Sequence, residues 1–174
     1  MQASATLRLP EKLVNPPFAI KLTKTLTEPT TPTIVMVPAV FLAPVSWQTY
    51  QSLLTDLNDN SAIRLTYQQG CLEITMPLSP LHESSSSLIH DFIVVLSEEL
   101  QLEMNSLRST TLTREDLQHG LEPDNSYYIQ HEALVRGHSR LDLMQLPPPD
   151  LVVEVDITSF SIDKLVSYRA LGVP

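Results

Sequence analysis

One stretch decides the fold: Pro149-Asp150-Leu151-Val152-Val153-Glu154-Val155-Asp156. Apolar, mostly β-branched residues occupy both odd and even positions, which predicts a strand covered on both of its faces. Glu154 lies inside this run, on the side shared with Asp150, Val152 and Asp156, so its carboxylate should point into largely apolar surroundings. Burial of an unpaired carboxylate costs several kcal/mol, which is comparable with the stability of a whole domain. We therefore expect Glu154 to be matched by a cation, a metal ion or a proton.

Length and composition indicate an ordinary globular protein. The 174 residues, 43% of them hydrophobic, are enough for one domain that buries about 70% of its unfolded surface. No apolar run approaches the roughly 20 residues of a membrane span, and the N-terminus lacks the residue order of a signal peptide. The single cysteine, Cys71, excludes an intrachain disulfide and a multi-cysteine zinc site. We therefore expect a cytoplasmic protein with no membrane partner.

The charge balance limits the kinds of nucleic-acid partner. A formal net charge of −9 argues against a protein that coats nucleic acid, because such proteins are normally basic. A nuclease is not excluded, since a site built from carboxylates is negative until a divalent metal ion binds. Local basic patches can still guide a phosphate backbone.

Two regions are predicted along the chain. Residues 1–33 contain five prolines and a Thr-rich stretch without a steady period, which predicts a flexible or extended N-terminal arm. Residues 34–174 are expected to form a single α/β domain with a mixed central sheet flanked by helices. The sequence ends just after a predicted helix, so we expect the fold to be cut short there and to continue with another strand.

Apolar periodicity and turn residues predict the elements of this domain. The first are a strand within residues 33–42, a helix over residues 44–57 and a hairpin with strands at residues 63–67 and 71–76, where Cys71 is expected to pack in the core. Later elements are strands at residues 103–107 and 126–130, a loop or single helical turn at residues 113–116, a basic loop at residues 136–140 and a helix over residues 161–171 that ends at Gly172.

The longest predicted helix begins with Ser79 as its N-cap and Pro80 in its first turn, and it runs to about residue 102. Its buried stripe is predicted from apolar residues at helical spacing, which are Leu81, Leu88, Phe92, Leu96 and Leu100. His82 falls toward the edge of that stripe, whereas Glu83 falls on the far side.

Three charged residues have a spacing that suits metal-dependent chemistry. In Glu122-Pro123-Asp124, the proline restricts the backbone and presents Asp124 at the entrance of a predicted strand. Glu154 follows 30 residues later, and Lys164 follows another 10 residues on. Two carboxylates on neighbouring strands can hold Mg²⁺ or Mn²⁺ through their oxygens. A nearby lysine can orient water or stabilise the developing charge on a phosphate.

These pieces resemble the PD-(D/E)xK nuclease superfamily and, more closely, the Uma-two family of restriction-endonuclease-like proteins. The resemblance covers roughly Trp47 to Pro174. Each piece alone is weak, but the four occur in order and at plausible spacings. They are Met76-Pro77-Leu78-Ser79-Pro80-Leu81-His82-Glu83, Leu121-Glu122-Pro123-Asp124, Pro149-Asp150-Leu151-Val152-Val153-Glu154-Val155, and Asp163-Lys164-Leu165-Val166-Ser167-Tyr168 with Gly172-Val173-Pro174.

The resemblance implies a restriction-endonuclease-like fold and Mg²⁺- or Mn²⁺-dependent hydrolysis of phosphodiester bonds in DNA. It makes Asp124 and Glu154 the metal-binding carboxylates and Lys164 the catalytic lysine, moved from a strand to a helix. His82 matches a helix position that the family often fills with histidine. Asp156 stands where the simple superfamily pattern has lysine, so Lys164 must reach the site from another element. Asp156 either adds a third metal oxygen or caps the next turn.

Each of these residues also has a purely structural interpretation. Asp124 after a proline is typical of an Asx turn, and Glu154 can pair with an arginine such as Arg108. Lys164 can be a solvated helix residue, and His82 a residue at the start of a helix.

The protein as a whole has alternatives too. The acidic balance and Asp156 favour a non-catalytic binding or assembly module that keeps the nuclease-like fold. A small-molecule hydrolase would need a nucleophile elbow or a Gly-rich phosphate loop, and the sequence contains neither. A homodimer would suit a duplex substrate.

Overall fold

The computed structural model describes residues 19–21, 39–57, 63–75, 80–138, 141–156 and 162–174. The strands are β1 Ala19–Lys21, β2 Ala39–Leu42, β3 Arg64–Gln68, β4 Cys71–Thr75, β5 Asn105–Ser106, β6 Leu112–Arg114, β7 His119–Leu121, β8 Asn125–Tyr128 and β9 Leu151–Glu154. The helices are α1 Trp47–Asp56, α2 Pro80–Glu99, α3 Glu132–Val135 and α4 Lys164–Leu171. None of the helices in these ranges is both long and apolar enough to cross a bilayer.

The strand predicted from residue 149 onward is confirmed as an interior strand of a mixed sheet. This first sheet has the order β1-β9-β8-β5, with β9 parallel to β1 and antiparallel to β8. Val152 packs with Leu121 and Tyr168, whereas its neighbour Val153 packs with Ile93 on the opposite face. Both valines are buried. The strand is therefore covered on both faces, as its apolar run predicts.

A second sheet accompanies the first, where the sequence predicted one central sheet. It is antiparallel, with the order β2-β4-β3-β7-β6. The predicted hairpin forms its centre, and the turn is tighter than expected because Gln69 and Gly70 both have positive φ, at 47° and 88°. That geometry is typical of a two-residue turn that matches the twist of the strands. The expected α/β class, with helices flanking sheets, is confirmed.

The stripe predicted to be buried on α2 is wrong. Leu88 and Phe92 are 70% and 64% exposed, and Leu81, Leu96 and Leu100 are also exposed. The buried residues of α2 are His82, His90, Ile93 and Ser97. The inward face makes polar contacts with the first sheet and its approach, since His82 contacts Asp124 and His90 contacts the Tyr127 hydroxyl.

Other boundaries differ for local reasons. Of residues 113–116, predicted as a loop or helical turn, the last two lie in a turn, but the first two belong to strand β6, which is too short to show a period and pairs with β7. Cys71 is exposed at the start of β4 and does not pack in the core. The short α3 was not predicted.

The helix ends agree better with the sequence. Ser46 caps α1 by accepting a hydrogen bond from the Thr49 N–H. Asp163 caps α4, which ends at Gly172 with φ of 81°, as predicted. The predicted cap Ser79, part of the basic loop at residues 136–140 and most of the predicted arm lie outside the described residues. The division into an arm at 1–33 and a domain at 34–174 stays a prediction.

Candidate active site

The first sheet brings Asp124 and Glu154 close to each other. Asn125, the first residue of β8, pairs with Val153 of β9 in antiparallel register, and Asp124 and Glu154 are the adjoining residues of the two segments. The Asp124 Oδ2 atom also accepts the Val155 N–H at 2.7 Å. Two carboxylates 30 residues apart in sequence are therefore brought to one end of the sheet.

Helix α4 supplies the cation that Glu154 requires. The Lys164 Nζ atom lies 2.8 Å from Glu154 Oε2, and the Tyr168 hydroxyl donates to Glu154 Oε1. Lys164 and Tyr168 are one helical turn apart and so share a face of α4. Burial raises the pKa of Glu154, and the Asp124 carboxylate adds to this, while Lys164 and Tyr168 lower it. Glu154 is thus matched by an ammonium and a hydroxyl from a single helix.

Asp124 is held from several elements. It is 8% exposed, and its Oδ2 atom lies 3.1 Å from the His82 Nε2 atom of α2. The Arg64 guanidinium of β3 lies 3.9 Å from its Oδ1 atom. Burial alone would raise the pKa of Asp124, but hydrogen bonds from His82 and the Val155 N–H hold that pKa below its ordinary value. The same contact with Asp124 raises the pKa of His82.

Two further charged residues of the site were missed by the sequence analysis. Arg64, besides approaching Asp124, lies 3.7 Å from Glu122 Oε2. Glu73 of β4 is fully buried, and its Oε2 atom accepts the Ile162 N–H at 3.0 Å. Strand alternation put Glu73 on the face opposite Leu72, which suggested solvent. Glu73 is buried because both faces of the sheet are covered at this position. The sequence of strand β4 alone does not indicate that both faces are covered.

The structural alternatives for the predicted residues can now be compared with their contacts. Asp124 is not a local turn residue, since its partners are 42 and 31 positions away. Glu154 pairs with Lys164, whereas Arg108 contacts His90 at 3.2 Å. Asp150 has a structural role, because its carboxylate accepts the N–H groups of residues 129 and 131.

The donor set suits an ion that keeps part of its water shell. Within the described residues, no group of three or more His, Cys, Asp or Glu side chains is arranged to hold a metal ion. Asp156 therefore does not complete such a group with Asp124 and Glu154. Mg²⁺ is commonly bound through only one or two carboxylates together with waters and substrate phosphates. Asp124 and Glu154, at one end of the sheet, fit that mode of binding.

Comparison with known protein families assigns the chain to a family. The model of the Uma-two family (Uma2), described as a "putative restriction endonuclease", matches residues 47–174. The chain belongs to the Uma-two family. The matched region contains His82, Asp124, Glu154 and Lys164. No curated protein and no solved structure matches the chain.

Membership of the Uma-two family confirms the expected restriction-endonuclease-like fold and indicates a nuclease. Restriction-endonuclease-like proteins act on nucleic acid and typically use divalent metal ions. The match spans both flanks of the site, since α2 supplies His82 and α4 supplies Lys164.

Proposed function

We propose that this Uma-two protein is a metal-dependent endonuclease that hydrolyses phosphodiester bonds in DNA. One observation carries the proposal: Asp124, directly before β8, and Glu154, at the end of the adjacent β9, lie close enough for their charges to interact, with the Lys164 ammonium 2.8 Å from Glu154. Two carboxylates can hold the ion of metal-assisted phosphodiester hydrolysis, and a lysine beside them can stabilise charge on the phosphate.

Asp124 and Glu154 would hold Mg²⁺ or Mn²⁺. Such an ion, when bound, lowers the pKa of a water molecule and offsets charge on the scissile phosphate. The low pKa of Asp124 keeps that carboxylate ionised at neutral pH, ready to act as a ligand. Glu154 is oriented by the Tyr168 hydroxyl, which donates to one of its oxygens. The two carboxylates are therefore preorganised.

Lys164 and His82 would have different roles. The Lys164 ammonium lies next to a metal-binding oxygen, where it can orient the attacking water or stabilise charge on the phosphate. His82 touches Asp124 from α2, so it fixes the orientation of a ligand. We assign His82 a positioning role in catalysis.

The setting of the reaction belongs to the same proposal. The substrate would be duplex DNA, bound by a homodimer in which two sites face the two strands. Sedimentation of the purified chain tests the dimer. We place the activity in the cytoplasm, in keeping with the single cysteine of the sequence.

Substitutions that keep size and remove charge test the catalytic assignment. We expect Asp124→Asn and Glu154→Gln to lower Mn²⁺-dependent cleavage of plasmid DNA at least about 100-fold, because each removes a charged ligand oxygen. Matched controls are Asp91→Asn and Glu98→Gln, which change exposed residues of α2 and should cleave like the wild type. Circular dichroism checks that all four variants are folded. Wild-type cleavage by Asp124→Asn or Glu154→Gln would refute the proposal.

A catalytically inactive binding or assembly module is the second candidate. Both oxygens of Glu154 are already engaged, by Lys164 and Tyr168, and this favours a purely structural site. Asp156 in place of the usual lysine points the same way. Calorimetry with Mn²⁺ separates the two functions: no heat of binding and no shift in Tm would support the module.

A further inference from the structure

Glu73 connects the second sheet with the helix that carries Lys164. It lies in the middle of β4, paired with Phe41 of β2 on one side and Thr66 of β3 on the other. Its Oε2 atom accepts the N–H of Ile162, two residues before Lys164. A buried carboxylate from one sheet thus anchors the segment that leads into α4, while Lys164 reaches Glu154 in the other sheet.

The second oxygen of Glu73 calls for another explanation. Glu73 is 0% exposed, and its Oε1 atom is buried without a hydrogen-bond partner among the described residues. Leaving a buried acceptor unsatisfied costs about 1–3 kcal/mol, and more for a charged group. Holding the Ile162 N–H needs only one acceptor atom, which a neutral amide also provides. The anchor alone therefore does not explain a carboxylate at this position.

The charges around Glu73 are those of the active site. Burial raises the pKa of Glu73, whereas the Ile162 N–H and the Lys164 ammonium lower it, and the Glu154 carboxylate raises it again. Glu73 is thus close enough to feel both members of the Lys164–Glu154 ion pair. A divalent ion held by Asp124 and Glu154 would interact favourably with those two carboxylates and with Glu73, because charges interact strongly in a partly desolvated site.

We propose that Glu73 is a third acidic residue of the metal site, which positions the Lys164 helix through Oε2 and accepts a hydrogen bond from water of the site through Oε1. This inference rests on the proposed function. The negative charge of Glu73 would strengthen divalent-ion binding without direct contact with the ion. Residues that surround the metal ligands commonly have this effect.

The test uses the full chain and measures Mn²⁺ binding by calorimetry, independently of cleavage. Glu73→Gln keeps an acceptor for the Ile162 N–H and removes the charge. We expect it to weaken Mn²⁺ binding at least about 10-fold, in the range seen when residues behind metal ligands are changed. Its Tm in EDTA should stay near the wild-type value, and the rise in Tm on adding Mn²⁺ should be smaller. The matched control is Glu98→Gln, an exposed glutamate of α2, which should bind Mn²⁺ like the wild type.

A second variant keeps the test decisive if Glu73→Gln does not fold. Glu73→Leu has a similar volume and no charge to bury; because it also removes the acceptor of the Ile162 N–H, circular dichroism checks that it folds. We expect the same loss of Mn²⁺ affinity. Wild-type affinity in either folded variant would overturn the inference and leave Glu73 as an anchor only. Absence of Mn²⁺ binding in the wild type would instead refute the proposed function, and the inference with it.

Discussion

Three buried ionisable residues, Asp124, Glu73 and His119, are matched by partners that lie far away along the chain. Asp124 meets His82 across 42 positions, and Glu73 meets Ile162 across 89 positions. His119 of β7 is another example, because its Nδ1 atom lies 2.9 Å from the Ser167 hydroxyl oxygen of α4. Burial lowers the pKa of His119, so the imidazole is preferentially neutral in the folded protein.

The low pKa of His119 predicts a loss of stability in acid. Below the ordinary histidine pKa of about 6.5, the unfolded chain takes up a proton that the folded protein resists, so stability falls as pH falls through that range. We expect the stability advantage of the wild type over His119→Gln to shrink between pH 7.5 and pH 5. Urea unfolding of both proteins at each pH measures it. His82, whose pKa is raised, is present in both proteins and should largely cancel in the comparison. An advantage that does not change with pH would contradict the prediction.

Helix α2 shows how one element can satisfy a sequence pattern and still be oriented differently from the prediction. Phe92 and Ile93 are neighbours in the chain, and both suit an apolar helix face. Phe92 is exposed, whereas Ile93 packs with Tyr127, Val153 and Val155 on the first sheet. The stability of the helix therefore depends on the face that carries Ile93.

Substitution of these two neighbours tests the orientation of α2. We expect Ile93→Ala to lower the free energy of unfolding by about 2–5 kcal/mol, because it leaves a cavity in the core. Phe92→Ala should change it by no more than about 0.5 kcal/mol, as is usual for exposed positions. The free energy of unfolding is measured by denaturant titration. The protein concentration is one at which sedimentation shows monomers. Equal losses in the two variants would mean that the face with Phe92 is also buried.

At the scale of the whole molecule, the site is assembled from both sheets. Asp124 and Glu154 come with the first sheet, Arg64 and Glu73 belong to the second, and α4 lies between them with Lys164. The chain as a whole carries a formal net charge of −9, which repels a phosphate backbone. A divalent ion at the carboxylates would reverse that repulsion locally.

This charge balance predicts that DNA binding depends on the metal ion. We expect a short labelled duplex to bind at least about 10-fold more tightly in millimolar Mn²⁺ than in EDTA, because the ion offsets repulsion between carboxylates and phosphates. Fluorescence anisotropy on ice measures it, with gel electrophoresis to check that the duplex is intact. Asp124→Asn, with a weakened ion site, should show little gain. Equal affinity of the wild type with and without Mn²⁺ would argue against an ion at the DNA interface.

The sequence by itself determined the features that depend on near neighbours in the chain. Strand β9, the hairpin of β3 and β4, and the Gly172 end of α4 follow from local periodicity, turn residues and a cap. The apolar strand singles out Glu154, the Glu122-Pro123-Asp124 piece and the spacing add Asp124 and Lys164 as candidates, and the resemblance to the Uma-two family names all three.

Only the tertiary structure decided which faces are covered and which charges meet. In the tertiary structure Ile93 of α2 packs in the core, and Glu73 of β4 is buried. The Arg64 guanidinium lies 3.9 Å from the Asp124 carboxylate. These features depend on contacts between residues tens of positions apart, and a periodic pattern states only that a face is apolar or polar. Burial and charge pairing are properties of the packed sheets, so the local sequence does not contain them.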